Sequence, residues 1–216
     1  MSEEQNTEEL LESIKPLYTE ATKKVYRESW EEFFRTTTSD ELLIVVLRSH
    51  IFIENEIENL LSKFSIKVEK TKLQFYIQKL DLLNSIGVVE KELYDSLSFV
   101  NQIRNKFAHR LDYEFNNEVY NDLYSKLPGD MRSEMAKEFS PEKLRTNGSD
   151  YLVPMRRVLG SLWAKLKEKS LDLWGREIFA IDVRTHIHQD AHIHLSQYYE
   201  DIKKSLESTE DQKEQE

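Results

Sequence analysis

No cysteine occurs among the 216 residues, which excludes disulfides, thiolate catalysis and cysteine-ligated zinc or iron–sulfur centres, and fits a reducing compartment. Glycine and proline are also scarce, at five and four residues. Tight turns should therefore be few, and a chain this rich in Leu, Glu and Lys favours long helices. No stretch approaches the roughly 18 uninterrupted apolar residues of a membrane-spanning helix. The opening Met1-Ser2-Glu3-Glu4-Gln5 has neither the basic region nor the apolar run of a signal peptide. A cytoplasmic protein with no membrane association is expected, and Asn147-Gly148-Ser149 then reads as a turn rather than a glycosylation acceptor. Hydrophobic residues make up 39% of the chain and aromatics 11%, enough to build a core beneath a surface of net charge −10.

Periodicity predicts an all-α fold. A first helix covers Glu8 to Phe34, kinked or broken near Pro16. Thr38-Ser39-Asp40-Glu41 matches a capping box, so a second helix should start there and run to about Lys63. A third spans Lys72 to Ser85, with Gly87 in the position of a C′ glycine. A fourth covers Val89 to Leu111, where Leu93, Leu97, Val100, Ile103, Phe107 and Leu111 recur at three- and four-residue spacing. Helices three and four should pack as a hairpin. From Asn116 to Asp150 the punctuation of Leu127-Pro128-Gly129-Asp130 and Ser140-Pro141 leaves only short helical possibilities, an insertion or flap. Periodicity returns from Tyr151 to about Trp174.

The fourth helix carries the chemistry. Arg104-Asn105-Lys106-Phe107-Ala108-His109 sets an arginine, an asparagine and a histidine on a helix whose other face is apolar. At about 100° per residue Arg104 falls within the apolar stripe, where a guanidinium requires a carboxylate, carbonyls or a bound anion. Asn105 and His109, at i and i+4, are placed to share a hydrogen bond or a ligand. In the purely structural alternative, Arg104 pairs with a carboxylate of a neighbouring helix, Glu54 or Glu58, and His109 faces solvent.

Arg-Asn-x-x-x-His at a helix end resembles the signature of the HEPN superfamily, small all-α domains that include metal-independent endoribonucleases. A longer stretch, roughly Leu43 to Leu123, is similar to the mannitol operon repressor family, itself HEPN-like. It includes Val46-Leu47-Arg48-Ser49-His50, Glu54-Asn55-Glu56-Ile57, the run Leu80 to Val89, and Leu93-Tyr94-Asp95. The resemblance implies one helical domain over residues 1–206. It would comprise an HEPN-like core at about 39–125, an insertion at about 116–150 and additional C-terminal helices at about 151–206, ahead of a disordered acidic tail at 207–216. It also implies a homodimer with two motif helices facing across an RNA cleft, and no cofactor. Carried over, Arg104 and His109 act on the scissile phosphate and Asn105 orients them. Those roles are chemically sound: histidine titrates near neutrality, and arginine holds phosphate through charge-assisted bonds without losing its proton.

Lys106 within the motif and Arg110 just after it are further candidate nucleic-acid contacts. Arg156 and Arg157 are candidates as well. With Lys165, Lys167 and Lys169 against Glu168 alone, they give the segment 156–169 a local excess of four positive charges, suited either to a nucleic-acid backbone or to plain solvation. Four of the six histidines lie in Thr185 to His194, on a segment read as a helix. His188 and His192 there form an i,i+4 pair, a weak metal-binding candidate rather than an assigned site.

Three classes of function follow. The first is an HEPN-type ribonuclease or toxin-like RNA-processing factor, which a toxin's usual neutralising partner would accompany. The second is a non-enzymatic regulator of transcription resembling the mannitol operon repressor family, although no helix-turn-helix is apparent. The third is a metal-binding protein built on the histidine cluster.

Overall fold

A computed structural model describes residues 3–64, 73–146 and 150–177, and every regular element among them is a helix. The order is α1 (Glu3–Thr37), α2 (Leu42–Lys63), α3 (Tyr76–Ser85), α4 (Lys91–His109), α5 (Asn117–Lys126), α6 (Gly129–Met135) and α7 (Pro141–Thr146). An eighth, α8, covers 152–177 of the described residues. The histidine cluster with His188 and His192, the turn at Asn147 and the tail from 207 lie outside them. Contacts divide the chain into two units, residues 19–173 and residues 1–18 with 174–216. The packing described below belongs to the first.

α2, α3 and α4 pack on one another, and their apolar positions explain why. Val45, Val46, Ile53, Ile57, Leu60 and Leu61 of α2 meet Leu80 and Leu83 of α3 and Leu93, Leu97, Val100 and Ile103 of α4 in one buried cluster. Burying a side chain of this size contributes about 1.5–3 kcal/mol. The α3–α4 hairpin turns at Gly87, whose φ of +75° is the left-handed value expected of a C′ glycine. Val88 N–H reaches back to the Leu83 carbonyl at 2.9 Å and Gly87 N–H to that of Asn84 at 3.0 Å, the paired bonds of a Schellman motif.

Several local expectations are corrected. α1 continues through Pro16 without interruption. No capping box forms before α2, because the Thr38 hydroxyl donates back to the Phe34 carbonyl at the end of α1, leaving Glu41 as an N-cap without a side-chain bond. α3 begins at Tyr76; Leu73, Gln74 and Phe75 are not helical. α4 ends at His109, so Leu111 projects into solvent instead of closing the apolar stripe.

The stretch read as an insertion is built into the core. Tyr120 and Leu123 of α5, Leu127, Met131, Met135 and Leu144 are all buried. The Asn116 side chain caps α5 by accepting from Val119 N–H at 3.1 Å. The Ser96 hydroxyl donates to the Lys126 carbonyl at 2.7 Å, tying α4 to the end of α5. On the other side, α8 meets α1 through aromatic rings: Trp163 stacks on Phe33 at 4.7 Å and tilts against Trp30 at 5.9 Å. No helix among the described residues is long and apolar enough to cross a membrane.

Candidate functional site

α4 is buried on the face formed by Leu93, Leu97, Val100 and Ile103, and this sets where its polar residues stand. Asn101, Arg104 and Asn105 are half-buried at the margin of that face, while His109 is exposed in the last turn. Arg104 is thus less enclosed than the stripe implied, because the apolar packing loosens beyond Ile103. Phe107 is only partly buried and leans on Tyr113 and Phe115, with ring centroids 4.7 and 6.4 Å away.

Arg104 and Asn105 are brought together. The guanidinium Nη1 donates to Asn105 Oδ1 at 3.0 Å, which holds the arginine without neutralising it. Among the described residues no carboxylate pairs with Arg104. The two expected to do so are occupied elsewhere: Lys79, buried on α3, donates to Glu54 at 2.8 Å and also to Glu58. Burial alone would depress the Lys79 amine, but its bonds to both carboxylates outweigh this and raise its pKa. A positive charge held by a neutral amide suits a group that receives an anion. His109 hydrogen-bonds to neither Arg104 nor Asn105, so the chain itself does not close the expected three-residue constellation.

Behind Arg104 lies a pair that sequence reasoning did not single out. His50 of α2 is only 3% exposed, and its Nε2 stands 3.1 Å from Asn101 Oδ1. Tyr76 covers the ring at 4.5 Å between centroids and 37° between planes. Burial lowers the His50 pKa first, and the charges of Arg104 and Lys79 lower it further, against opposing contributions from Glu54 and the Asn101 bond. The imidazole is therefore neutral near pH 7. The Tyr76 hydroxyl, raised by burial and then by Glu54, stays protonated and donates to the Leu97 carbonyl at 3.4 Å. One signal was available for Asn101: it precedes Arg104 by three residues and Asn105 by four, on one helix face. Its partner His50 lies 51 residues away, and nothing local in sequence pairs the two.

The other proposed contacts divide into two groups. Lys106 and Arg110 share the C-terminal end of α4, where cations also offset the helix dipole. Lys106 sits over the Tyr113 ring at 5.8 Å, Arg110 is exposed, and neither pairs with a carboxylate among the described residues. On α8 the picture differs, because its positive charges are engaged within the fold. Arg156 donates to the Ser39 carbonyl at 2.6 Å and Arg157 pairs with Glu134. Lys165 meets Asp130, Lys167 meets Glu56 and Lys169 meets Glu90. The local excess of charge along 156–169 is thereby matched by carboxylates of α2, α6 and the start of α4.

A cleft of about 500 Å³ opens at the opposite end of α4, lined by Glu90, Glu92, Lys165, Glu168 and Lys169 among others. Its three carboxylates are balanced by Lys91, Lys165 and Lys169, and it does not extend the Arg104 site. No cluster of three or more metal-ligating side chains occurs among the described residues. Compared with known proteins, the chain matches no family model, no curated protein and no solved structure.

Proposed function

We propose that this chain is a cytoplasmic HEPN-type RNA-binding protein that cleaves RNA without a metal, as a homodimer whose two α4 ends face one another. The observation that carries the reading is Arg104, half-buried and, among the described residues, bonded to the neutral Asn105 and to no carboxylate, while Lys79 occupies Glu54 and Glu58. A phosphate oxygen is the partner that such a guanidinium lacks. His109, exposed at the end of the same helix, is accessible to substrate. It would take the proton from a ribose 2′-hydroxyl as the 2′-oxygen attacks phosphorus. The bond to the 5′-oxygen then breaks, that oxygen regains a proton, and a 2′,3′-cyclic phosphate is left. Arg104 would stabilise charge on the phosphoryl oxygens, with Asn105 holding its plane. Lys106 and Arg110 would add contacts to the flanking backbone.

A second reading, a non-enzymatic regulator resembling the mannitol operon repressor family, is favoured by the lack of any bond from His109 to Arg104 or Asn105. Incubating a mixed RNA pool with the protein in EDTA decides between them, using wild type, His109→Ala and Arg104→Ala prepared identically. The ribonuclease reading expects cleavage by wild type alone, with 2′,3′-cyclic phosphate ends. Because Arg104 pairs with no carboxylate among the described residues, Arg104→Ala should keep the wild-type melting midpoint. A folded wild type that leaves the pool intact overturns the enzymatic reading and leaves the regulator.

A further inference from the structure

The apolar core requires neither His50 nor Asn101, yet the two meet between α2 and α4 immediately beside Arg104. Burying the His50 imidazole is costly to desolvate, and an apolar ring of similar shape would fill its space as well. What the polar pair adds is orientation. The Asn101 side chain is a flat amide whose oxygen faces His50 at 3.1 Å. An oxygen only accepts, so the ring carries its proton on Nε2. With the oxygen engaged, the NH2 group is the part of Asn101 left to donate, and it has no partner among the described residues. Asn101 also lies about 6 Å along the helix axis from Asn105, one turn back on the same face.

Resting on the reading that Arg104 and Asn105 hold the scissile phosphate, we infer that Asn101 donates a hydrogen bond to the neighbouring phosphate of the RNA strand, and that His50 is the positioning residue that turns its amide. His50 itself is too enclosed to touch a ligand, so its effect passes wholly through Asn101. Its ring is backed by Tyr76, and the charged groups around it are Glu54, Lys79 and Arg104. None of these hydrogen-bonds to the ring, so among the described residues Asn101 is its hydrogen-bond partner.

The test measures the affinity of the full chain for a mixed-sequence, 2′-O-methylated oligoribonucleotide, which binds without being cut, alongside the melting midpoint. His50→Phe keeps a ring against Tyr76 and removes the donor; His50→Gln restores an N–H close to the position of Nε2; Asn101→Leu removes the amide. His50→Phe and Asn101→Leu should each weaken binding about tenfold, the value of one lost hydrogen bond, at an unchanged midpoint. His50→Gln should recover most of the loss, and the double variant should be no weaker than either single one, since both act through one contact. If His50→Phe lowers the midpoint, Asn101→Leu, which alters a half-buried side chain, decides alone. Wild-type affinity in Asn101→Leu, while Arg104→Ala loses binding, overturns this inference and leaves the proposed function standing. Equal binding by wild type and Arg104→Ala overturns the proposed function, and this inference with it.

Discussion

Lys79 offers a test of the polar cluster that is independent of any ligand. Its amine is buried between Glu54 and Glu58, the lysine side chain being 6% exposed and the carboxylates 30% and 43%. Lys79→Met preserves the bulk of the stem and deletes the charge. Severing a fully buried ion pair costs roughly 3–5 kcal/mol, because the abandoned partner stays desolvated. Here both carboxylates have access to water and can rehydrate, which reduces the expected loss to about 1–2 kcal/mol. For a chain of this length each kcal/mol moves the midpoint by about 2–4 °C, so the variant should melt about 2–8 °C lower in a circular dichroism scan. The pH dependence has a definite sign. The folded pKa of the amine is raised above its ordinary 10.5, so its contribution is complete below that value and disappears as pH rises through the folded pKa. The gap between wild type and variant should accordingly stay level from about pH 6 to about pH 9 and narrow only in stronger alkali. A variant that melts at or above the wild-type temperature would refute this account, and would mean that an apolar replacement serves the site as well as the charge.

Two further perturbations probe the backbone. Gly87→Ala places a side chain at φ +75° with no atom within 4 Å of the new Cβ, so the expected loss of about 1–2 kcal/mol is conformational alone. Asn at the same position should recover part of it, as read by urea denaturation. Gly160→Ala should instead stabilise by about 1 kcal/mol, because it lies inside α8 and its new Cβ would meet Trp30 at 3.4 Å and Phe33 at 3.5 Å, ordinary contact distances. A lowered midpoint would show that α1 and α8 tolerate no methyl group between them.

What could be read from the chain was what local spacing encodes. The apolar positions of α4 from Leu93 to Ile103, the left-handed Gly87 and the Arg104–Asn105 proximity all follow from neighbours within one or two helical turns. Where the reading failed, two local solutions competed, or the partner was distant. Thr38 had a choice between capping α2 and bonding back to α1, and it took the second. Glu54 and Glu58 stand at i,i+4 and face a cation, but that cation is Lys79 of α3 rather than Arg104. The positive side of α8 resembled an open surface because Asp130, Glu134, Glu56 and Glu90 reach it from remote parts of the chain. His50 was the least legible: a histidine in an apolar helix suggests nothing until Asn101 is brought opposite.

The indoles of Trp30 and Trp163, 5.9 Å apart and inclined by 36°, also have an optical consequence. Two chromophores that close and that skewed should couple and contribute a near-ultraviolet circular dichroism signal that vanishes when the side chains lose fixed packing. The chain thus contains an unlabelled gauge of whether α1 and α8 are docked. Because the gauge draws on neither Arg104 nor His50, it can report whether α1 and α8 stay docked in every site variant above before its RNA binding is compared.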